Sequence, residues 1–191
     1  MIEVTNLTKS FGDKRVLSSF SASFDVGATC LMGKSGAGKT TIANIVLGLI
    51  KADDGEIRGV DGRRVSCVFQ ENRLIEELSA YKNLMLVCES DCSEKVQELL
   101  SEMGLGDSIK APVSTLSGGM KRRVAIARAL ITPADIYIFD EPFEGLDDAR
   151  KDEVIAIIKR YTEGKVSIFI THDIADAKAM GAKLVEVPLI F

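Results

Sequence analysis

One histidine, four cysteines and no long apolar run mark this chain of 191 residues. Each scarcity closes off a class of protein. A membrane-spanning helix needs about 20 consecutive apolar residues. The longest apolar stretch, residues 42–50, is interrupted by Asn44 and Gly48. The opening Met1-Ile2-Glu3-Val4 lacks the basic segment and apolar core of a secretory signal. The chain is therefore expected to remain in the cytosol, and any membrane role must come through a partner. With His172 as the lone histidine, the cysteines lack the further ligands that a zinc site needs. Four free thiols are expected. Cys30 and Cys67 lie in apolar, strand-like runs, and Cys88 and Cys92 can share a helix face. Lysine and arginine total 24 against 28 aspartate and glutamate, a net charge of -4. A nucleic-acid-binding domain is usually basic, so no nucleic-acid partner is expected.

What is present is ordinary globular material, 46% hydrophobic and 27% charged, and the length suits one compact domain. Strand-like runs occupy residues 2–4, 20–24 and 28–32. A helical stretch covers residues 39–49, and two short strands follow near 56–58 and 65–69. The pattern from 76 to 103 is helical, with Ser93 available to cap a helix over 94–103. A further helix runs over 119–131 and stops at Pro133. Residues 136–139 are wholly apolar, as in the centre of a parallel sheet. Val154, Ile157, Ile158 and Tyr161 recur at helical spacing, and strands follow at 167–170 and 184–187. Alternating strands and helices predict an α/β fold with a mostly parallel sheet.

Two motifs carry chemistry. Gly33-Lys34-Ser35-Gly36-Ala37-Gly38-Lys39-Thr40 fits the phosphate-loop pattern at every fixed position, after a strand and before a helix, with Thr41 next in line. Its glycines let backbone N–H groups wrap phosphate, and the helix start adds favourable partial charge. Lys39 brings positive charge to the β- and γ-phosphates, and the Thr40 hydroxyl can ligate Mg²⁺. The plain alternative is a glycine-rich turn that binds nothing; full pattern plus context speaks against it. Ile136-Tyr137-Ile138-Phe139-Asp140-Glu141 then brings two carboxylates to a strand end, where α/β sheets hold ligands. Asp140 is the candidate Mg²⁺ partner, and Glu141 the candidate residue to orient the attacking water. Alone, such a pair reads equally well as a solvated helix cap.

Leu116-Ser117-Gly118-Gly119-Met120 resembles the signature motif of the ABC ATPase family, and further motifs fall in family order. Phe11, in Lys9-Ser10-Phe11-Gly12, resembles the adenine-stacking aromatic; its alternative is a core phenylalanine. Gln70 resembles the Q-loop glutamine, which touches Mg²⁺ or the attacking water. Gly145-Leu146-Asp147 resembles the D-loop. His172, in Thr171-His172-Asp173, resembles the switch histidine that hydrogen-bonds the γ-phosphate.

The resemblance covers essentially the whole chain. It implies a P-loop NTPase, RecA-like core with a small antiparallel β subdomain and an inserted helical subdomain. Residues 1–70 and 132–191 would form the nucleotide-binding core and 71–131 the helical part. It also implies ATP hydrolysis with Mg²⁺, and a head-to-tail homodimer or a heterodimer with a related ATPase subunit. In that dimer Ser117, Gly118 and Gly119 reach the other subunit's γ-phosphate. The family's partner is a transmembrane permease, which would hold the chain on the inner face of the membrane.

Departures from the family pattern are visible. Met120 replaces the usual glutamine, a feature similar to nitrate, sulfonate and taurine importers, and Glu144 is unusual before the D-loop. Only 46 positions separate Gln70 from Leu116 (116 − 70), so the helical insert is expected to be trimmed. Lys121, Arg122 and Arg123 read as helix-surface charges. Leu74, Ile75, Leu78, Tyr81, Leu84 and Met85 are candidates for an apolar permease groove rimmed by Glu76 and Glu77. The rival reading is a soluble ABC ATPase not associated with transport. A chromosome-type version would need long heptad arms, which are absent.

Overall fold

The computed structural model describes residues 1–190. The chain divides into two compact units. The first contains Met1–Val65, Ala134–Asp140 and the segment from Gly164 onward; the second contains Ser66–Pro133 and Glu141–Glu163. The helical unit thus takes in residues 141–163, which the sequence reading assigned to the core.

The first unit holds a three-stranded antiparallel sheet, with β1 (Ile2–Phe11) between β2 (Lys14–Phe24) and β4 (Asp54–Arg58). Both long strands exceed the short runs expected from sequence, for one physical reason. Their buried residues, Ile2, Val4 and Leu7 on β1 and Leu17, Phe20 and Phe24 on β2, break strict alternation. Asn6 (φ 52°) and Ser19 (φ 51°) adopt left-handed backbone, and register shifts follow Val4 and Leu7. Such irregularities return the next apolar side chain to the core face and hide the period of two.

The main sheet has the order β5-β6-β7-β3-β8, formed by β3 (Gly27–Met32), β5 (Val65–Val68), β6 (Ile136–Asp140), β7 (Val166–Ile170) and β8 (Lys183–Glu186). The pairs β3–β7, β3–β8 and β6–β7 are parallel. Every residue of β6 and β7 is buried, as central parallel strands should be. Phe139 and Phe169 stack with centroids 4.7 Å apart. α1 (Lys39–Val46) follows the glycine-rich loop, and α6 (Ile174–Met180), a helix the sequence reading missed, follows β7.

In the second unit the helical pattern at 76–103 resolves into α2 (Ala80–Met85) and α3 (Ser93–Glu102). The turn between them carries Cys88 and Cys92, which are joined in a disulfide, against the expectation of thiols on one helix face. Ser93 is the first helical residue rather than the cap; its N–H donates to the Asp91 carboxylate at 3.0 Å. α4 (Gly118–Ile131) and α5 (Asp148–Tyr161) complete the unit. Among the described residues, no helix is long and apolar enough to cross a membrane.

Candidate functional site

Strand register levels the chemistry of the first unit. Ile170 of β7 pairs with Leu31 of β3 on one side and with Asp140 of β6 on the other. The phosphate loop, the acid and the Thr171-His172 segment therefore all leave the same end of the sheet. Neighbouring strands lie about 4.8 Å apart, so these groups span roughly two strand spacings.

The loop itself is tightly determined at its start. Gly33 has φ 152°, and a Cβ there would lie 2.6 Å from the carbonyl oxygen of Val187. That close backbone approach admits only glycine. Lys39 folds back over the loop, its Nζ donating to the carbonyls of Gly33 at 2.8 Å and Lys34 at 3.1 Å. Its ammonium is thus held above the peptide groups that would surround phosphate. Lys34, Ser35 and Gly36 are exposed, Ala37 is buried, Gly38 precedes α1, and Thr41 is half-buried in the helix.

The Thr40 hydroxyl donates to Oδ2 of Asp140 at 2.8 Å. Asp140 is 4% exposed at the end of β6. A hydroxyl and a carboxylate in contact form the kind of hard-oxygen pair that Mg²⁺ accepts while keeping waters and phosphate oxygens as its other ligands. A cage of three or more acidic, cysteine or histidine side chains is not needed for that, and none occurs among the described residues. The protein groups present therefore fit the ion. His172 is exposed after β7. Behind it, the Thr171 hydroxyl accepts the N–H of Asp173 at 3.1 Å and donates to Asp176 at 3.4 Å.

Phe11 ends β1 with 50% of its surface exposed, which removes the core-phenylalanine reading. Lys9 pairs with Asp53 at 2.6 Å, and the N–H of Ser10 donates to the same carboxylate at 2.6 Å. The Lys9 and Ser10 donors hold the Asp53 carboxyl below its ordinary value. Sequence reading missed Asp53 as the anchor of the Phe11 segment.

In the second unit, Gln70 is exposed just beyond β5, and Glu141 is half-buried with φ 46°. A left-handed glutamate is costly and must be held by its surroundings. Ser117 caps α4, its side chain accepting the N–H of Met120 at 3.3 Å. Ser117 and Gly118 are exposed at this helix start, so backbone donors there face outward. At Gly119 a Cβ would sit 2.9 Å from the Gly145 carbonyl, so this glycine lets the signature segment approach the D-loop segment.

The basic run after the signature is not at the surface. Arg122 and Arg123 are 3% and 9% exposed, and only Lys121 lies at an edge, paired with Glu76 at 2.8 Å. The reason is that α4 is buried on nearly all sides, from Val124 to Ala127 and again at Ala129 and Leu130. Buried guanidinium groups must find acceptors. Arg123 donates to the carbonyls of Met103 and Gly104, and burial followed by the nearby Arg150 charge lowers its pKa. Arg128 donates to the carbonyls of Arg73 at 2.8 Å and Asn72 at 3.1 Å.

The expected apolar groove is more polar than anticipated. Leu84 is fully buried, Ile75 is 44% exposed, and Leu74, Leu78, Tyr81 and Met85 are half-buried. A cavity of about 730 Å³ at this face is lined by Tyr81, Lys82, Gln97, Asp107 and Lys110 among others. On the same helix as Tyr81 and Lys82, Asn83, with no exposed surface, accepts the N–H of Ile75 at 2.9 Å and donates to the carbonyls of Ile75 at 3.0 Å and Ser79 at 3.1 Å. Sequence reading gave Asn83 no role.

A phosphate loop and a Thr–Asp pair at one end of a parallel sheet define a candidate nucleotide-binding site. The ABC transporter family profile matches residues 19–144, and the chain belongs to that family as its ATP-binding, ATP-hydrolysing subunit. It is 36% identical over 198 aligned residues to the lipoprotein-releasing system ATP-binding protein LolD of Porphyromonas gingivalis, covering 91% of this chain and 90% of that one. It is 33% identical to the aliphatic sulfonates import ATP-binding protein SsuB 1 of Paraburkholderia xenovorans, covering 96% of this chain but 56% of that relative. Among solved structures, the dimeric post-hydrolysis state of the ATP-binding cassette MJ0796 bound to ADP and Pi superposes with a TM-score of 0.86 at 26% identity, over 98% of this chain and 94% of that one.

Proposed function

We propose that this chain is the motor of a transporter whose membrane-spanning part is a separate permease. Two ATPase subunits close head to tail around two ATP molecules, and the closing and opening move the permease at the cytoplasmic face. The observation that carries the nucleotide chemistry is the Thr40–Asp140 hydrogen bond at the end of the sheet. Thr40 and Asp140 would hold Mg²⁺, which would supply positive charge to the phosphates when bound. Lys39 and the loop N–H groups grip the same phosphates, and Phe11 offers its exposed face to adenine. Glu141 orients the attacking water and accepts its proton, Gln70 positions that water, and His172 hydrogen-bonds the γ-phosphate.

Ser117 at the open start of α4 is the group that completes the site of the other subunit. Similarity to lipoprotein-releasing and sulfonate-importing ATPases supports a transport role without choosing the solute or the direction. The permease contact is assigned to the cavity face around Tyr81 and Lys82. Sedimentation of Glu141→Gln with and without ATP tests the assembly: an ATP-dependent dimer that Ser117→Arg abolishes is expected. A monomer at saturating ATP would refute the closing motion. Pull-down of a co-expressed permease, lost in Tyr81→Glu with ATP binding intact, tests the docking face; full retention would refute it.

A further inference from the structure

Arg122 is the fifth residue of α4, the helix that Ser117 caps. Its Nη1 donates to the carbonyls of Phe69 at 2.6 Å and Gln70 at 3.2 Å, and to Oδ1 of Asn72 at 3.2 Å. Nη2 donates to the carbonyl of Glu141 at 2.6 Å, and Nε to that of Pro142 at 3.1 Å. One guanidinium, with five N–H groups in a rigid plane, thus joins two distant stretches of chain. Both stretches lie outside regular structure. Residues 69–72 follow β5 with no helix or strand, and Glu141 holds its left-handed φ of 46°. Main-chain carbonyls in such segments have no ladder to satisfy them, and a strained residue persists only when its neighbours fix it. Arg122 donates to both peptide oxygens that follow the Glu141 Cα, the first of which also accepts the N–H of Glu144 at 3.2 Å.

We propose that Arg122 is a positioning residue for hydrolysis. It holds Gln70 and Glu141 in one fixed relation through their own carbonyl groups, and ties both to the helix that Ser117 heads. The inference rests on the reading of Gln70 and Glu141 as the residues that orient the attacking water. Arg122 acts on them through the main chain. A helix that engages the opposite subunit is thereby linked mechanically to the water-orienting residues of its own chain.

Lysine keeps the charge but has no planar fork, so it can serve one stretch but not both. In Arg122→Lys, kcat is expected to fall about 10- to 100-fold, the scale of a displacement near 1 Å at a reacting centre. KM and Kd for ATP should stay within about twofold, since binding equally in ground and transition states is untouched. Arg122→Gln removes the buried charge as well, and is expected to give the same split between kcat and KM. Thermal unfolding of each variant is measured alongside.

A kcat within about twofold of the parent in the folded variants would overturn the proposal. So would a rise in KM with kcat unchanged. Loss of the fold in both variants overturns it too, because the role would then be inseparable from folding. Glu141→Gln, assayed in parallel, separates the two claims. Normal turnover in Glu141→Gln removes the water-orienting reading and Arg122 with it. Inactive Glu141→Gln beside normal Arg122→Lys removes only the Arg122 proposal.

Discussion

In the first unit the functional groups leave the ends of strands whose register is set by the hydrogen-bond ladder. In the second unit they sit on irregular segments held by side chains of one helix. Leu31, Ile170 and Asp140 are level because three parallel strands are in register, and the phosphate loop needs only glycines to turn away from that edge. The 69–73 stretch, the 103–104 turn and the Glu141 turn have no ladder. Arg128, Arg123 and Arg122 of α4 supply their donors instead. A ladder is rigid and repetitive, which suits the phosphate grip proposed above. Side-chain links are few and directional, which suits the water-orienting role proposed for Gln70 and Glu141. Asn83 is such a link for residues 75–79.

The comparison breaks most sharply at the phosphate loop. Lys39→Ala should lower ATP affinity about 100-fold, because a charge-assisted contact to phosphate is lost with no substitute at that position. Exposed Lys34 occupies a variable place in the loop, and Lys34→Ala should stay within about threefold. Calorimetric titration of both variants checks the contrast; equal losses would remove Lys39 from its role.

The side-chain scaffolding of the second unit should show the opposite profile. Asn83→Ala removes the side-chain acceptor of the Ile75 N–H and the side-chain donor shared by the carbonyls of Ile75 and Ser79, which keep their bonds to the N–H groups of Leu78 and Asn83. The cost is about 1–2 kcal/mol, or a fall of roughly 3–6 °C in Tm for a domain of this size. ATP affinity should change little. Thermal melts with parallel ATP titration read both; an unchanged Tm would mean that the 75–79 segment is held by other contacts.

What sequence reveals in either unit is the contiguous pattern, and what it hides is the long-range link and the local irregularity. The phosphate loop, the acidic strand end and the signature are contiguous patterns, and each stands where its motif put it: after β3, at the end of β6 and at the start of α4. The parallel core was legible because β6 and β7 are apolar throughout. Arg122 and Arg123 were misread because their acceptors lie 19 to 53 positions away on segments with no period of their own. The clue was the all-round apolar character of the helix that follows them, which leaves no solvent face for a surface charge. β1 and β2 were read short because Asn6 and Ser19 break the alternation, and no local rule announces a left-handed serine. The Cys88–Cys92 link was missed because the two cysteines were placed on one helix face where the chain turns.

The smallest effect belongs to the antiparallel sheet. Lys9 and the Ser10 N–H hold the Asp53 carboxyl below its ordinary value. A depressed folded pKa contributes stability above the unfolded carboxylate value of about 3.9, and that contribution is lost as pH falls through the folded value. The Asp53 carboxylate is exposed, so the effect is small. Asp53→Asn should shift Tm by no more than about 2 °C at pH 7, and the shift should vanish under acid conditions where the wild-type carboxyl is protonated. A shift that persists unchanged in acid would mean that the carboxylate charge is irrelevant to the Phe11 segment.

The claim that hydrolysis runs through a carboxylate held in left-handed backbone at the end of β6 is tested most directly by steady-state ATP turnover of Glu141→Gln, with ATP affinity measured on the same preparation. The account expects affinity within about twofold of the parent chain and turnover reduced at least about 100-fold, the contribution of a positioned general base. Turnover within about threefold of the parent at saturating ATP would contradict it.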